Sequence, residues 1–280
     1  MADLTFGARL RQAMDRRGPL CVGIDPHVQL LSGWGLDADV VGLERFSRTV
    51  VEALADRVAV LKPQSAFFER FGSRGIAILE RVIADAREAG ALVLLDVKRG
   101  DIGSTMLGYA HAYLDPTSPL AADAITMTPY LGFGALRPAI DLAMAHRCGV
   151  FVVTLTSNPE AAEVQRARGA DGRTVAQAVI DEVAAINRDA SPLGSVGIVV
   201  GATLGRTGHD LTQVRGPLLA PGLGAQGAVA DDLRTVFAGV TEWVLPTYSR
   251  QVLRAGPSLA GLREATARVG EDCRRALGYE

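Results

Sequence analysis

The stretch Leu92-Val-Leu-Leu-Asp-Val-Lys-Arg-Gly-Asp-Ile102 decides how the rest of the chain is read. Four apolar residues run directly into a cluster of charge: Asp96, Lys98, Arg99 and Asp101. An unbroken apolar run of this length is what a parallel strand shows when helices cover both faces of its sheet. Ionisable groups placed at its end are costly to bury unless they pair with one another.

The same signature recurs on either side. Apolar runs at 20–24, 58–61, 124–127, 149–153, 196–200, 217–220 and 243–245 join 92–95 as candidate strands. Segments of helical period lie between them, at 43–56, 73–89, 131–147, 173–189 and 231–238. In the second of these Ile76, Leu79, Ile83 and Ala86 share a face that would be buried against a sheet. Flanking helices are expected near 5–14 and over 259–277. Strand and helix alternate without consecutive strands, so βαβ crossovers run throughout. Eight such units in 280 residues predict a single (β/α)8 barrel of the TIM type, in preference to an open doubly wound sheet. The region 201–216 is the irregular one, since Gly205, Gly208 and Gly216 leave room for only a short helix. Neither a linker nor a shift in composition divides the chain, so 1–280 is expected to be one domain.

Composition excludes several classes. With 48% hydrophobic and 21% charged residues the chain lies in the globular range, and intrinsic disorder is ruled out. A net charge of −2, from 29 basic and 31 acidic residues, gives no global field for nucleic acid or an anionic membrane. An anionic ligand therefore needs a local site. Cys21, Cys148 and Cys273 have no zinc-site spacing and read as reduced, mostly buried thiols. His27, His111, His146 and His209 show no HxH or HExxH spacing, and no nucleophile elbow is present, so metal hydrolysis and triad chemistry lack support. The first residues lack a basic and then apolar leader, and no uncharged apolar run reaches the roughly 18 residues of a membrane span. A cytoplasmic protein is expected.

Barrel enzymes gather their chemistry where the strands end. Asp25 follows the first run, Lys62 the second, Asp96-Val-Lys98 the third, Thr156-Ser157-Asn158 the fifth, Pro221-Gly-Leu-Gly-Ala-Gln-Gly227 the seventh and Ser249-Arg250 the eighth. Strand alternation puts Asp96 and Lys98 on one face. Lys62 can supply a second cation. Asp101, after the turn that Gly100 permits, can return to the pocket or reach a neighbouring chain. The expected result is an alternating Lys–Asp–Lys–Asp array. A carboxylate fixed beside an anionic substrate group raises the ground state, and an ammonium beside a developing carbanion stabilises the transition state and then donates a proton. Those are the needs of a decarboxylation; the plain alternative is a surface ion-pair loop. The glycines after the seventh run, Gly224 among them, suit a phosphate that Arg250 would complete by a bidentate contact, or else a simple turn. Asp25 reads as a helix cap or an acceptor for sugar hydroxyls. Ser157, before Asn158-Pro159, is a turn residue or a partner for a planar heterocycle.

Asp96-Val-Lys98-Arg99-Gly100-Asp101-Ile102, with Lys62 upstream and Pro221 to Gly227 downstream, resembles the orotidine 5′-phosphate decarboxylases, in particular their longer bacterial subgroup with Thr-Ser-Asn-Pro after the fifth strand. The resemblance implies conversion of orotidine 5′-monophosphate to uridine 5′-monophosphate and CO2 without metal or organic cofactor. By that resemblance Lys98 protonates C6, Asp96 sits against the departing carboxylate, and Lys62 positions Asp96 and the ribose. Asp25 would hold a ribose hydroxyl and Ser157 the pyrimidine amide. Pro221, Gly224 and Gln226 belong to a loop that closes on base and phosphate, and Arg250 clamps the phosphate. Asp101, Ile102 and Thr105 would enter the partner's site, making a homodimer with shared active sites. Pro246-Thr-Tyr248-Ser-Arg250 departs from the family's usual eighth-strand ending. Two rival readings are a metal-dependent sugar-phosphate lyase sharing D-x-K-x-x-D and a non-catalytic phosphometabolite binder.

Overall fold

The computed structural model describes residues 4–279. Eight parallel strands close into a barrel in chain order. They are β1 (Cys21–Ile24), β2 (Val60–Pro63), β3 (Leu92–Arg99), β4 (Ala124–Met127), β5 (Gly149–Leu155), β6 (Val196–Val200), β7 (Leu218–Ala220) and β8 (Val244–Tyr248).

Strand alternation sorts their side chains into two cores. Cys21, Val60, Leu94, Ala124, Phe151, Val199, Leu219 and Leu245 point inward and fill the barrel. Their neighbours Val22, Leu61, Leu95, Ile125, Val152, Val200, Ala220 and Val244 pack outward beneath the helices. That period of two explains why the strands read as continuous apolar runs: each face meets a dry surface.

One end of the barrel is shut by the helix Phe6–Arg17, whose N-cap Thr5 accepts from the amide of Ala8 at 3.2 Å. Phe6, Leu10 and Met14 recur every fourth residue and join the inner core. Phe6 meets Phe151 edge-on with ring centroids 6.0 Å apart. A Cβ at Gly149, the first residue of β5, would lie 2.2 Å from the Phe6 ring, so this plug sits at the strand beginnings and needs glycine there. Only the carboxyl end stays open.

The long terminal helix Leu259–Leu277 has the expected bounds, with Ser258 capping its start and Gly278, at φ 79°, ending it in the left-handed region. Three departures from the sequence reading have local causes. The segment 131–147 begins as a 3-10 turn, Phe133–Leu136, and becomes α-helical only over Arg137–Ala145, where Pro138 occupies the first turn. Among the described residues no helix joins β6 to β7; Gly205 and Gly208 take φ of 62° and 73°, which an α-helix forbids. β3 does not stop at Leu95 but continues to Arg99. Short helices Val28–Gly33, Ser65–Glu69, Ala161–Gln165 and Arg250–Leu253 follow β1, β2, β5 and β8 at the open end.

The three cysteines are free and buried. Burial pushes the thiols of Cys21 and Cys273 up to about 12 and that of Cys148 to about 11. No helix among the described residues is long and apolar enough to cross a membrane.

Candidate active site

Two residues beyond the inner core, the inward positions turn polar: Lys62 on β2, Asp96 on β3 and Thr126 on β4 are all buried. Gly23 of β1 lies in register beside Lys62, and a Cβ there would press on Ser249 at 3.0 Å and on the Asp25 carboxylate at 3.2 Å. The Asp96 carboxylate is clamped on both oxygens. Oδ2 accepts from Lys62 Nζ at 2.9 Å, while Oδ1 accepts from Lys98 Nζ at 2.6 Å and from the Thr126 hydroxyl at 2.8 Å.

Burial opposes all of this charge. On Asp96 the desolvation penalty is overcome by Lys62 and then Lys98, which hold its carboxyl well below the usual carboxylate range. On Lys62 burial is outweighed by Asp96 and then Asp25, so its ammonium is held above the ordinary lysine value. The two lysines differ in access. The Lys62 side chain is 6% exposed and that of Lys98 is 49% exposed. Lys62 is a fixed charge inside the barrel, and Lys98 reaches the open mouth.

Asp96 and Lys98 do meet, though not through a regular pleat. The pairing of β3 with β4 shifts between Leu95 and Arg99, and Lys98 adopts φ 44°. A non-glycine residue in that region costs of order 1–3 kcal/mol. Its amide donates to Thr126 Oγ1 at 2.9 Å and its carbonyl accepts from Thr128 Oγ1 at 3.2 Å, so the bulge is tied down. Arg99 turns away from the mouth to pair with Glu69 at 2.6 Å and to reach the Tyr113 hydroxyl at 3.2 Å.

Asp101 does not join this group within its own chain. Its Oδ1 accepts from the amide of Ile102 at 2.8 Å, ahead of the helix Gly103–Leu114. Ile102 and Thr105 are exposed. The expected four-membered array is thus a three-membered one here, Lys62–Asp96–Lys98, because the turn after β3 carries Asp101 onward to the next helix.

Asp25 ends beside the triad. Ser249 donates to its Oδ2, and its Oδ1 is buried without a hydrogen-bond partner among the described residues. Ser157 is exposed at the end of β5, with its Cβ 3.6 Å from where a Cβ on Gly201 of the β6 end would lie. Thr156 beside it is braced by Gln165, which donates to the Thr156 hydroxyl at 2.8 Å and accepts from its amide at 2.9 Å.

In the loop after β7, Gly222, Gly224 and Gly227 all have positive φ. The amides of Gly224 and Gly227 bind the carbonyls of Ala228 and Gly224, so these two donors serve the turn itself. The carbonyl of half-buried Pro221 accepts from Ala202 at 2.8 Å, and exposed Gln226 folds back over Gly222. Arg250 opens the turn after β8 and lines a small cleft with His27, Trp34 and Arg254. Its neighbour Gln251 fills the space above Gly224, where a Cβ would lie 2.1 Å from Oε1. The glycine loop and the turn that carries Arg250 are therefore neighbours.

The sequence assigns no role to Thr126 or Ser249. For Thr126 the available signal was parity: it stands two residues past an inward alanine on a strand beside β3. Ser249 had only its place before Arg250.

Barrel and mouth together define the class: a (β/α)8 barrel that fixes a carboxylate between two ammonium groups at its open end. A family profile described as the orotidine 5′-phosphate decarboxylase / HUMPS family matches residues 18–265. The chain is 68% identical over 273 residues to the orotidine 5′-phosphate decarboxylase of Salinispora tropica, covering 98% of each. It is 60% identical over 272 residues to that of Streptomyces coelicolor, covering 97% of this chain and 98% of the other. A crystal structure from Streptomyces avermitilis assigned to the same activity matches with TM-score 0.97 and 59% identity over 99% of this chain and 98% of that one. The chain belongs to the orotidine 5′-phosphate decarboxylase / HUMPS family.

Proposed function

We propose that this protein decarboxylates orotidine 5′-monophosphate to uridine 5′-monophosphate and CO2, the last step of de novo pyrimidine synthesis, without metal or organic cofactor. The observation that carries the proposal is Asp96 held ionised between Lys62 and Lys98 at the barrel mouth. The substrate carboxylate is placed against Asp96, where two like charges in a low-dielectric site raise the ground state. The C6–carboxylate bond breaks, CO2 leaves, and the electron pair stays on C6 beside the Lys98 ammonium. Lys98 gives its proton to C6 and regains one from solvent, for which its exposure suits it and the burial of Lys62 does not.

Asp25 presents its unpartnered Oδ1 to a ribose hydroxyl, and Ser157 faces the pyrimidine amide. Arg250 and the Pro221–Gly227 loop, with Gln226, hold the phosphate, so that binding energy gained far from C6 is used at C6. We infer further that the active form is a homodimer with Asp101, Ile102 and Thr105 entering the partner's site. Ile102 and Tyr130, in the turns after β3 and β4, are 62% and 76% exposed, which supports an interface beside the mouth.

The test is to incubate chelator-treated protein with orotidine 5′-monophosphate and follow the ultraviolet change of the pyrimidine together with released CO2. Turnover in excess chelator is expected. Lys98→Ala is expected to abolish it while uridine 5′-monophosphate still binds. Binding without CO2 release in the parent would replace the enzyme by a nucleotide-binding protein.

A further inference from the structure

We propose that Thr126 is a positioning residue for this reaction, its hydroxyl setting both the Asp96 carboxylate and the Lys98 main chain. The proposal rests on the decarboxylase reading for its kinetic consequence and on geometry alone for its structural one. Thr126 is 1% exposed and faces inward from β4, in step with Ala124 of the inner core, while Ile125 and Met127 face the outer helices. It stands behind Asp96 and out of reach of the mouth.

A threonine hydroxyl has one proton to give and two lone pairs to receive with. The Lys98 amide can only donate, and it points at Oγ1 from 2.9 Å. The hydroxyl proton is thereby free to go to Asp96 Oδ1, 2.8 Å away. Both directions are fixed by chemistry.

The location matters as much as the bonds. Between the Leu95–Ile125 and Arg99–Met127 pairs the β3–β4 ladder loses register. A backbone amide in such a gap needs an acceptor. Thr126 supplies it at Lys98, the residue turned to φ 44°. The same hydroxyl shares Oδ1 with Lys98 Nζ, at 2.6 Å. Without it, Oδ1 would be held only by a half-exposed lysine whose amide had lost its acceptor and whose backbone kept only the Thr128 contact at its carbonyl. Carboxylate and proton donor would drift together.

Valine has the shape of threonine without the hydroxyl, and serine has the hydroxyl without the shape. Thr126→Val is expected to lower kcat about 10- to 100-fold, with KM and the affinity for uridine 5′-monophosphate changed less than about threefold. Thr126→Ser is expected to recover kcat to within about threefold of the parent. A crystal structure of Thr126→Val is expected to show Lys98 out of the left-handed region, or Nζ withdrawn from Asp96. Thr126→Ala serves in the same way if the valine variant does not fold by circular dichroism. Unchanged kcat in the folded valine or alanine variant, an equal loss in the serine variant, or a triad unmoved in the variant crystal would each overturn the proposal. Absence of turnover in the parent would instead overturn the decarboxylase reading and leave the crystallographic comparison to decide the role of Thr126.

Discussion

Asp96→Asn isolates the charge at the centre of the site while keeping its shape. Lys62 Nζ lies 2.9 Å from the lost charge on a side chain 6% exposed, so the substitution strands an ammonium inside the barrel with Asp25 as its next carboxylate. Removing one partner of a buried pair costs about 3–5 kcal/mol, and the oxygen that asparagine keeps places this case near about 3 kcal/mol. Spread over the unfolding entropy of a chain this long, that is a fall in Tm of about 5 °C. The pH dependence carries a sign. In the parent, the raised Lys62 pKa contributes stability that is complete below the ordinary value of 10.5 and is lost as pH climbs through the folded value. The lowered Asp96 pKa contributes stability present above the ordinary 3.8 and lost as pH falls toward the folded value. In the variant, burial is left with less to oppose it and drives the Lys62 pKa down. The deficit relative to the parent should therefore be largest near about pH 6 and shrink toward about pH 9.5. Calorimetric melts of both proteins across that range measure it. A Tm unchanged at every pH, or a deficit that grows with pH, would refute the account of Lys62 as a charge balanced by Asp96.

Three further outcomes are expected. Arg250→Ala should weaken uridine 5′-monophosphate by about 10- to 100-fold, as loss of a charge-assisted contact predicts, and leave uridine nearly untouched; equal titrations of the nucleotide by parent and variant would reassign Arg250. Mixing inactive Asp101→Asn and Lys98→Ala chains should restore up to about a quarter of parental turnover, since random pairing leaves one intact site in each mixed dimer; silence in a verified mixed dimer would count against shared sites. Phe6→Ala should cost about 3–5 kcal/mol in thermal or denaturant melts by emptying the closed end of the barrel. Its kcat at 25 °C should match the parent, because the cavity lies at the end remote from Asp96.

Much of the barrel could be read before any coordinates. Parallel strands dry on both faces leave continuous apolar runs, and all eight runs became strands, including the three-residue β7. Charged residues directly after those runs marked the mouth, so Lys62, Asp96 and Lys98 were found by position alone. What stayed hidden depends on two strands meeting out of step. Regular alternation predicts Asp96 and Lys98 on one side, but they meet through a bulge that turns Lys98, and that bulge and the Thr126 hydroxyl that tethers it are pairwise properties of β3 and β4. Asp101 is near the array in sequence, and nearness alone suggests membership. Its own chain spends that carboxylate on the Ile102 amide, and spacing cannot reveal which chain a side chain serves. The glycines after β7 promised free amides, whereas two of them are consumed by the turn, a distinction composition does not carry.

The three unpaired thiols give the molecule an intrinsic clock. Cys21 lies inside the cylinder, Cys148 just before β5, and Cys273 on the long terminal helix, each with its thiol pushed up by burial and so less able to form the reactive thiolate. An alkylating dye can reach Cys21 and Cys273, both 0% exposed, only through transient opening, whereas Cys148 is 9% exposed and lines a surface cleft, so the order in which the two enclosed sites become labelled after Cys148 would record which part of the fold parts first. No foreign probe need be installed to watch the barrel breathe.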